Sequence, residues 1–457
     1  MRNGFETIAA IATPPGAGGI GIVRLSGESA FDIASRVFRA KSGAELKELS
    51  GFTARLGKAY SADGALIDEA IALVFHAPRS YTGEDAVEIM CHGGEQPCAA
   101  VLRALYEAGA SPASRGEFTR RAFLNGRLSL DEAEAVCELI NSASAQGERA
   151  AAALATGALA KKLDSLKGEI MSLQAELTAC LDFPEEDIDD IDLSSLKARL
   201  EGLCAELRAL TGSFSLGADL MRGVPAAIVG SPNVGKSTLL NLLAGAEKAL
   251  VTPIAGTTRD VVEQRVTLGG ATLLLADTAG IRDSDDPVEK LGIERALQRA
   301  ETASLIFAVF DSSRALDGDD ERLIELLRGR RAIAVINKTD LENALNAREV
   351  EREFDNVIYI SANDPASLAA LDCAVARAIK TDALDPDAPL LATERQHECA
   401  ARALEAAEEA ARASVLSTPD VVFALLSETL AALGELSGEN VTEAVLDEVF
   451  ARFCVGK

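Results

Sequence analysis

The stretch AAIVGSPNVGKST joins five residues of buried-strand character to Gly230-x4-Gly235-Lys236-Ser237 and then to the helix-like TLLNLLAG. Those residue types at that spacing make a phosphate cradle. Glycines let backbone N–H groups wrap phosphate oxygens, Lys236 reaches the β/γ oxygens and the Ser237 hydroxyl ligates Mg²⁺, with Asn233, Val234 and Thr238 lining the same loop. Four further segments follow in order. GTTRD (256–260) offers Thr258 as a switch hydroxyl for Mg²⁺ and the γ-phosphate, and DTAG (277–280) offers Asp277 to the metal shell, with Thr278, Ala279 and the Gly280 amide beside the γ-phosphate. NKTD (337–340) brings Asn337, Lys338 and Asp340, whose carboxylate accepts the two adjacent N–H donors of guanine; Ser361 and Ala362 of SAN supply a backbone amide for the guanine O6. Adenine has no such donor pair, so the expected nucleotide is GTP.

The residue after DTAG is Ile281, which cannot orient an attacking water. Glu289 is the nearest carboxylate with helical sequence downstream to carry it, and Asp283, Asp285 and Asp286 compete with it. Asn233 offers a side-chain oxygen to a monovalent cation beside the β/γ-phosphates, or else simply forms a turn. A second group with chemical potential is FCVGK (453–457), where a thiol, a flexible glycine and an ammonium follow a helical pattern. Cys454 reads either as a small buried hydrophobe or as a participating thiol.

Residues 1–125 alternate β-rich runs (TIAAIAT, IGIVRLSG, DEAIALVFHA, DAVEIMCHGG) with helical patterns at SAFDIASRVFR and EQPCAAVLRALYEAG, a mixed α+β domain with a turn at Asp63–Gly64. Residues 126–217 carry i, i+3, i+4, i+7 apolar spacing almost without Gly or Pro, interrupted by the acidic DFPEEDIDDIDL, read as a solvated inter-helix loop. Strand–helix alternation over 218–383 is the signature of a mostly parallel sheet covered on both faces. TDALDPDAPL then reads as a linker, and 384–457 returns to helical periodicity. The expected architecture is multidomain, α+β and α/β, with the α/β unit inserted into a helical domain.

At 457 residues and 48% hydrophobic, the chain supports two or three cores. A formal charge of −26 repels polyanions at long range, so any RNA contact needs a local basic patch or a partner. Eight cysteines without a C-x-x-C pair, and three separated histidines (His76, His92, His397), argue against a zinc site and imply a reducing compartment. No basic n-region and no run of about 20 apolar residues appears, so a cytoplasmic protein without a membrane span is expected.

Taken together, GSPNVGKST, GTTRD, DTAGIRD with VEKLGIERA, the opening TIAAIATPPGAGGIGIVRLSG, YTGEDAVEI with HGG, RAFLNGRLSLDEAEA and FCVGK resemble the MnmE (TrmE) family of tRNA-modification GTPases, from end to end. The resemblance implies an enzyme that works as a homodimer with an FAD-dependent partner on tRNA. It would install a carboxymethylaminomethyl-type group at C5 of the wobble uridine with a one-carbon unit from 5-formyl-tetrahydrofolate or a related folate. It implies an N-terminal domain similar to folate-binding aminomethyltransferase domains, in which Arg24, Glu88, Arg127 and Lys457 contact the folate; Arg127 stands where some members have Lys. It further implies K⁺-stimulated hydrolysis on G-domain dimerisation, with Asn233, Thr252, Ile254 and Thr257 around K⁺ and Glu289 as the catalytic glutamate. The alternative is a switch GTPase of ribosome or RNA assembly, which would call for a basic or KH-like module that this acidic chain lacks.

Overall fold

The computed structural model describes residues 6–142, 144–182, 193–246, 264–275, 303–382, 385 and 388–457. The chain divides into two compact units, one combining everything up to Cys137 with Leu433–Lys457, the other running from Glu138 to Ala432. The architecture is multidomain, α+β and α/β.

In the first unit, β1 (Ile8–Ile11), β2 (Ile20–Ser26), β3 (Phe38–Ala40), β4 (Thr53–Tyr60), β5 (Leu66–Phe75), β6 (Ala86–His92) and β7 (Ser111–Pro112) form a sheet in the order β3-β4-β5-β6-β2-β1-β7. Pairing is antiparallel except between β1 and β7. Alternation buries one face: Val23, Leu25, Val87 and Ile89 pack against Phe31, Val101 and Leu105 of the helices Ala30–Val37 and Glu95–Glu107. The register sets Arg24 directly opposite Glu88 and, on the other side, opposite Ala10. The Asp63–Gly64 turn is present, with Gly64 at φ 84° and the Asp63 carboxylate accepting from Ser61 Oγ at 2.5 Å. β3 is too short to announce itself by alternation and exists through its pairing with β4.

The same unit holds the helix Glu443–Ala451, started by Thr442 as N-cap. Its Leu446, Val449 and Phe450, followed by Phe453, pack on Leu130 and Ala133, and an Arg120–Asp447 ion pair of 3.0 Å ties it to the helix Glu117–Leu124. Gly116 sits at φ 64° where a Cβ would lie 2.6 Å from the Phe450 carbonyl oxygen, so the approach of these two helices depends on that glycine.

In the second unit the helical pattern that is almost without Gly or Pro is divided into Ala145–Ala155 and Ala158–Asp182, after an earlier helix, Leu130–Asn141, ends. The breaks have local causes: the Ser144 hydroxyl caps the first by accepting from Gly147 N at 3.0 Å, and Gly157 at φ 91° ends it. Helix Glu394–Leu416, opened by a Thr393–Gln396 capping box, runs along Leu193–Gly212, its buried Ala400, Ala403, Ala407 and Ala410 letting leucines such as Leu200, Leu203 and Leu207 approach.

The second sheet comprises β8 (Val224–Gly230), β9 (Gln264–Leu268), β10 (Ala271–Leu275), β11 (Leu305–Asp311), β12 (Ala332–Asn337) and β13 (Val357–Tyr359), ordered β13-β12-β11-β8-β10-β9. All pairs are parallel except β9 with β10. β11 is buried along its whole length, as a strand covered on both faces must be. Strand order turns at β8, and the glycine-rich loop leaves its carboxyl end there, where open α/β sheets bind ligands.

Candidate active site

The loop after β8 is shaped by backbone conformations that side chains resist. Gly230 and Gly235 lie at φ 158° and 99°; a Cβ on Gly235 would lie 2.2 Å from Asn337 Nδ2, and one on Gly230 would lie 2.5 Å from the Val309 carbonyl oxygen. Asn233 adopts φ 62° and is exposed, the turn geometry for which asparagine is suited. Lys236 opens the helix Lys236–Ala246 and folds its ammonium back onto the carbonyl oxygens of Gly230 and Ser231 at 3.0 and 2.7 Å. Ser237 and Thr238 follow on the first turn, half-buried. This cradle of glycines, lysine and hydroxyls fits a Mg²⁺-bound nucleotide phosphate.

NKTD begins at the end of β12. Asn337, 2% exposed, donates from Nδ2 to the Val234 carbonyl at 2.9 Å and accepts at Oδ1 from the Ala362 N–H at 2.9 Å, so one amide ties the phosphate loop to SAN. Lys338, at φ 65°, donates to the Asn233 carbonyl oxygen at 2.7 Å and pairs with Asp311 at 2.5 Å. Asp340 is exposed beyond them and Ser361 is half-buried. Thus Asn233, Val234, Gly235, Lys236, Asn337, Lys338 and Ala362 are gathered at one end of the sheet. Thr252, Ile254, Thr257, Thr258, Asp277, Thr278, Ala279, Gly280 and Glu289, with the competing Asp283, Asp285 and Asp286, lie outside the described residues.

Two supports were not read from the sequence. Asp311 ends the apolar β11; burial opposes its charge, but Lys338 and Ser313 overcome that and hold its carboxyl below the usual carboxylate range. Asp320, 1% exposed, accepts from Ser231 Oγ at 2.5 Å and from Arg314 at 2.8 Å. An aspartate closing an apolar strand is the available clue to the first; the second is a contact across 89 residues that no spacing marks.

In the other unit, helix Glu443–Ala451 delivers the tail to the sheet. Arg24 Nε donates to Glu88 at 2.8 Å and Arg24 Nη1 to the Gly456 carbonyl oxygen at 3.2 Å. Phe118 N donates to Lys457 O at 3.2 Å, and Arg115 bridges to Val455. Gly456 is buried at φ 96°, and a Cβ there would lie 2.3 Å from the Ile11 carbonyl oxygen. Two cations approach the Tyr81 ring, the Arg24 guanidinium 5.6 Å and the Lys457 ammonium 5.9 Å from its centre; Arg24 also lies 5.6 Å from the Phe118 ring. Burial pushes the Lys457 ammonium down, and Arg24 adds to this against Glu88. Arg127 is exposed and lies along the Gly83 turn of the loop that carries Tyr81, 3.2 Å from where a Gly83 Cβ would be. Cys454 is exposed, which removes its reading as a small buried hydrophobe. Among the described residues there is no cluster of three or more metal-ligating side chains, and no helix is long and apolar enough to cross a membrane.

Residues 7–127 match the family model "GTP-binding protein TrmE N-terminus", and residues 130–454 match "MnmE helical domain". The chain is 41% identical over 458 residues to the tRNA modification GTPase MnmE of Symbiobacterium thermophilum, covering 99% of this chain and 100% of that protein. It is 37% identical over 457 residues to the protein of that name in Acetivibrio thermocellus, with 99% of both covered. Among solved structures, Aquifex aeolicus Era bound to GDP·AlF4⁻ matches at 28% identity and a TM-score of 0.27, over 40% of this chain and 66% of that one. Both family models and full-length relatives agree: the chain belongs to the MnmE family of tRNA modification GTPases.

Proposed function

We propose that this protein hydrolyses GTP with Mg²⁺ and, with an FAD-dependent partner, installs a carboxymethylaminomethyl-type group at C5 of the tRNA wobble uridine, drawing a one-carbon unit from folate. The observation that carries the folate reading is the tail corner. Arg24 pairs with the Glu88 carboxylate and lies near the Tyr81 and Phe118 rings, and Lys457 brings a second cation to the Tyr81 ring within the field of both Arg24 and Glu88. Within a chain of net charge −26, that corner suits an anionic ligand that also carries flat rings, and 5-formyl-tetrahydrofolate, with its pyrimidinone and aminobenzoyl rings and glutamate carboxylates, is one. Arg24, Glu88 and Lys457 would hold it, with Arg127 at the edge of the Tyr81 loop, and the exposed Cys454 thiol stands beside the same tail. The protein would act as a homodimer whose segments are 1–125 (folate and dimerisation), 126–217 and 384–457 (helical), and 218–383 (GTPase).

At the nucleotide, the proposed Mg²⁺ ligands are Ser237 and Thr258, and the K⁺ ligands are Asn233 and the loop 252–257. Asp340 and the SAN amides would select guanine, and Glu289 would orient the attacking water when two GTPase segments meet. A Glu289→Ala variant that hydrolyses GTP at the parent rate in K⁺ would remove that assignment. GTP-ordered switch segments would time the one-carbon site, the hydrolysis acting as a conformational drive.

The decisive experiment is calorimetric titration of 5-formyl-tetrahydrofolate into the full chain and into one ending at Phe453. Weakening by about tenfold or more, about 1.4 kcal/mol, supports the tail as part of the folate site. Absence of binding to the full chain overturns the one-carbon reading and favours the switch GTPase instead.

A further inference from the structure

Of the eight cysteines, which the sequence scatters, the fold brings two together. Cys91 lies on β6 and Cys98 on the first turns of the helix Glu95–Glu107, both about 5% exposed or less, with their Sγ atoms 3.8 Å apart. The arrangement depends on Gly21, which faces Cys91 across the β2–β6 register. A Cβ on Gly21 would lie 2.1 Å from Cys98 Sγ, so only glycine leaves room for that thiol to point at its partner. Cys91 Sγ also lies 3.6 Å from the Gly21 carbonyl oxygen and Cys98 Sγ 3.9 Å from that of His92. Cys98 has a second side: it lines a cleft of about 710 Å³ whose wall includes Pro15, Gly16, Gly93, Tyr106 and Val455. The pair is enclosed, and Cys98 is its member at the cleft wall, the side from which a small molecule would approach.

We infer that Cys91 and Cys98 form an oxidisable dithiol, a modification site that takes a small hydroperoxide and closes to a disulfide. Cys98 sulfur attacks the peroxide, the O–O bond breaks, and Cys98 sulfenic acid results with one water from hydrogen peroxide, or one alcohol from an alkyl hydroperoxide. Cys91 sulfur then attacks Cys98 sulfur, the S–O bond breaks, and water leaves with the Cys91 proton. Two thiols lose two hydrogens and two electrons, and the peroxide gains them. Cys98, at the cleft wall, is the first sulfur oxidised, and Cys91, enclosed behind it, is the resolving one. The sulfurs need to approach by less than ~2 Å to reach bonding distance, a shift within reach of the helix start. The closed bond would pin that helix to β6, the strand that also bears Glu88.

The test treats the full-length protein with hydrogen peroxide, unfolds it, alkylates free thiols and reads the intact mass and the peptide map. The expected product has two fewer alkylated cysteines and a mass lower by two hydrogens before alkylation, mapped to Cys91 and Cys98 and restored by dithiothreitol. In Cys91→Ser, Cys98 is expected to accumulate as a sulfenic acid that dimedone captures; in Cys98→Ser, Cys91 stays alkylatable. Should either variant fail to fold, the wild-type map decides alone. Oxidation of the exposed Cys373 and Cys454 while Cys91 and Cys98 remain alkylatable overturns the proposal.

Discussion

Lys236 and Lys457 are both held beside left-handed glycines, yet they are built in opposite ways. Lys236 donates within its own loop, to carbonyls five and six residues away. The tail corner of Lys457 is assembled from β2, β6, the Tyr81 loop, the helix Glu117–Leu124 and the chain's last residues, its Arg24–Gly456 bond spanning 432 positions. A local cradle keeps its form while the sheet end beneath it is intact. A corner gathered from five segments exists only when all of them have arrived, and it is correspondingly easy to dismantle.

The largest effect expected on this contrast is Lys236→Ala, which should lower GTP hydrolysis by about 100-fold or more, measured as phosphate release, while 5-formyl-tetrahydrofolate titration is unchanged. Loss of both would break the separation of the two sites. Next come two carboxylates with opposite acid responses. Asp131, in the tail's unit, is 3% exposed, and burial, which outweighs the opposing pull of Ser129 and of its own backbone amide, raises its pKa to about 6. Its folded pKa exceeds the unfolded 3.8, so the protonated form adds stability below about pH 4 that is lost as pH rises through about 6. Asp131→Asn should raise unfolding free energy at pH 7 by about 3 kcal/mol and do little at pH 4, read by denaturant titration at both. Asp311 in the nucleotide unit is shifted the other way; its contribution is present at neutral pH and is lost below the unfolded pKa of 3.8, so Asp311→Asn should destabilise at pH 7.

Arg24→Ala should cost about 1–2 kcal/mol, less than a fully buried pair because the Arg24–Glu88 side chains are 17% and 15% exposed. Proteolysis after residue 453 should quicken in that variant, and unchanged cleavage would mean that the tail is seated without Arg24. The smallest effect is at a cap. Asp317 accepts from the Asp319 and Asp320 amides at 3.0 Å, and Asp317→Ala should remove about 1 kcal/mol, measured as a lower Tm.

The nucleotide loop was legible because phosphate recognition needs its glycines, lysine and hydroxyl at fixed short spacing, and Asn337 and Asp340 follow from the shape of guanine. Lys457 and Gly456 were legible as residues with a purpose, and the resemblance named Arg24 and Glu88. What brings those together is strand register, which a sequence specifies only through pairings hundreds of residues apart. Ser144 and Gly157 were passed over inside a helical pattern because a cap and a mid-helix residue differ in conformation, not in identity. The Cys91–Cys98 approach is hidden for a similar reason: a seven-residue separation brings these side chains together because a strand gives way to a helix between them, which the spacing itself does not show.

Asn337 carries one more consequence. Its amide is spent at both ends, giving a proton to Val234 and receiving one from Ala362. A guanine O6 that takes the Ala362 N–H does not add a bond to the protein; it displaces one. If the base is read there, its recognition would be an exchange between two acceptors of similar strength, worth far less than the bond drawn on paper, and it would loosen the tether between the two loops. An aspartate in that position, nearly the same in outline, would turn an acceptor toward the Val234 carbonyl and put repulsion where the clasp had been.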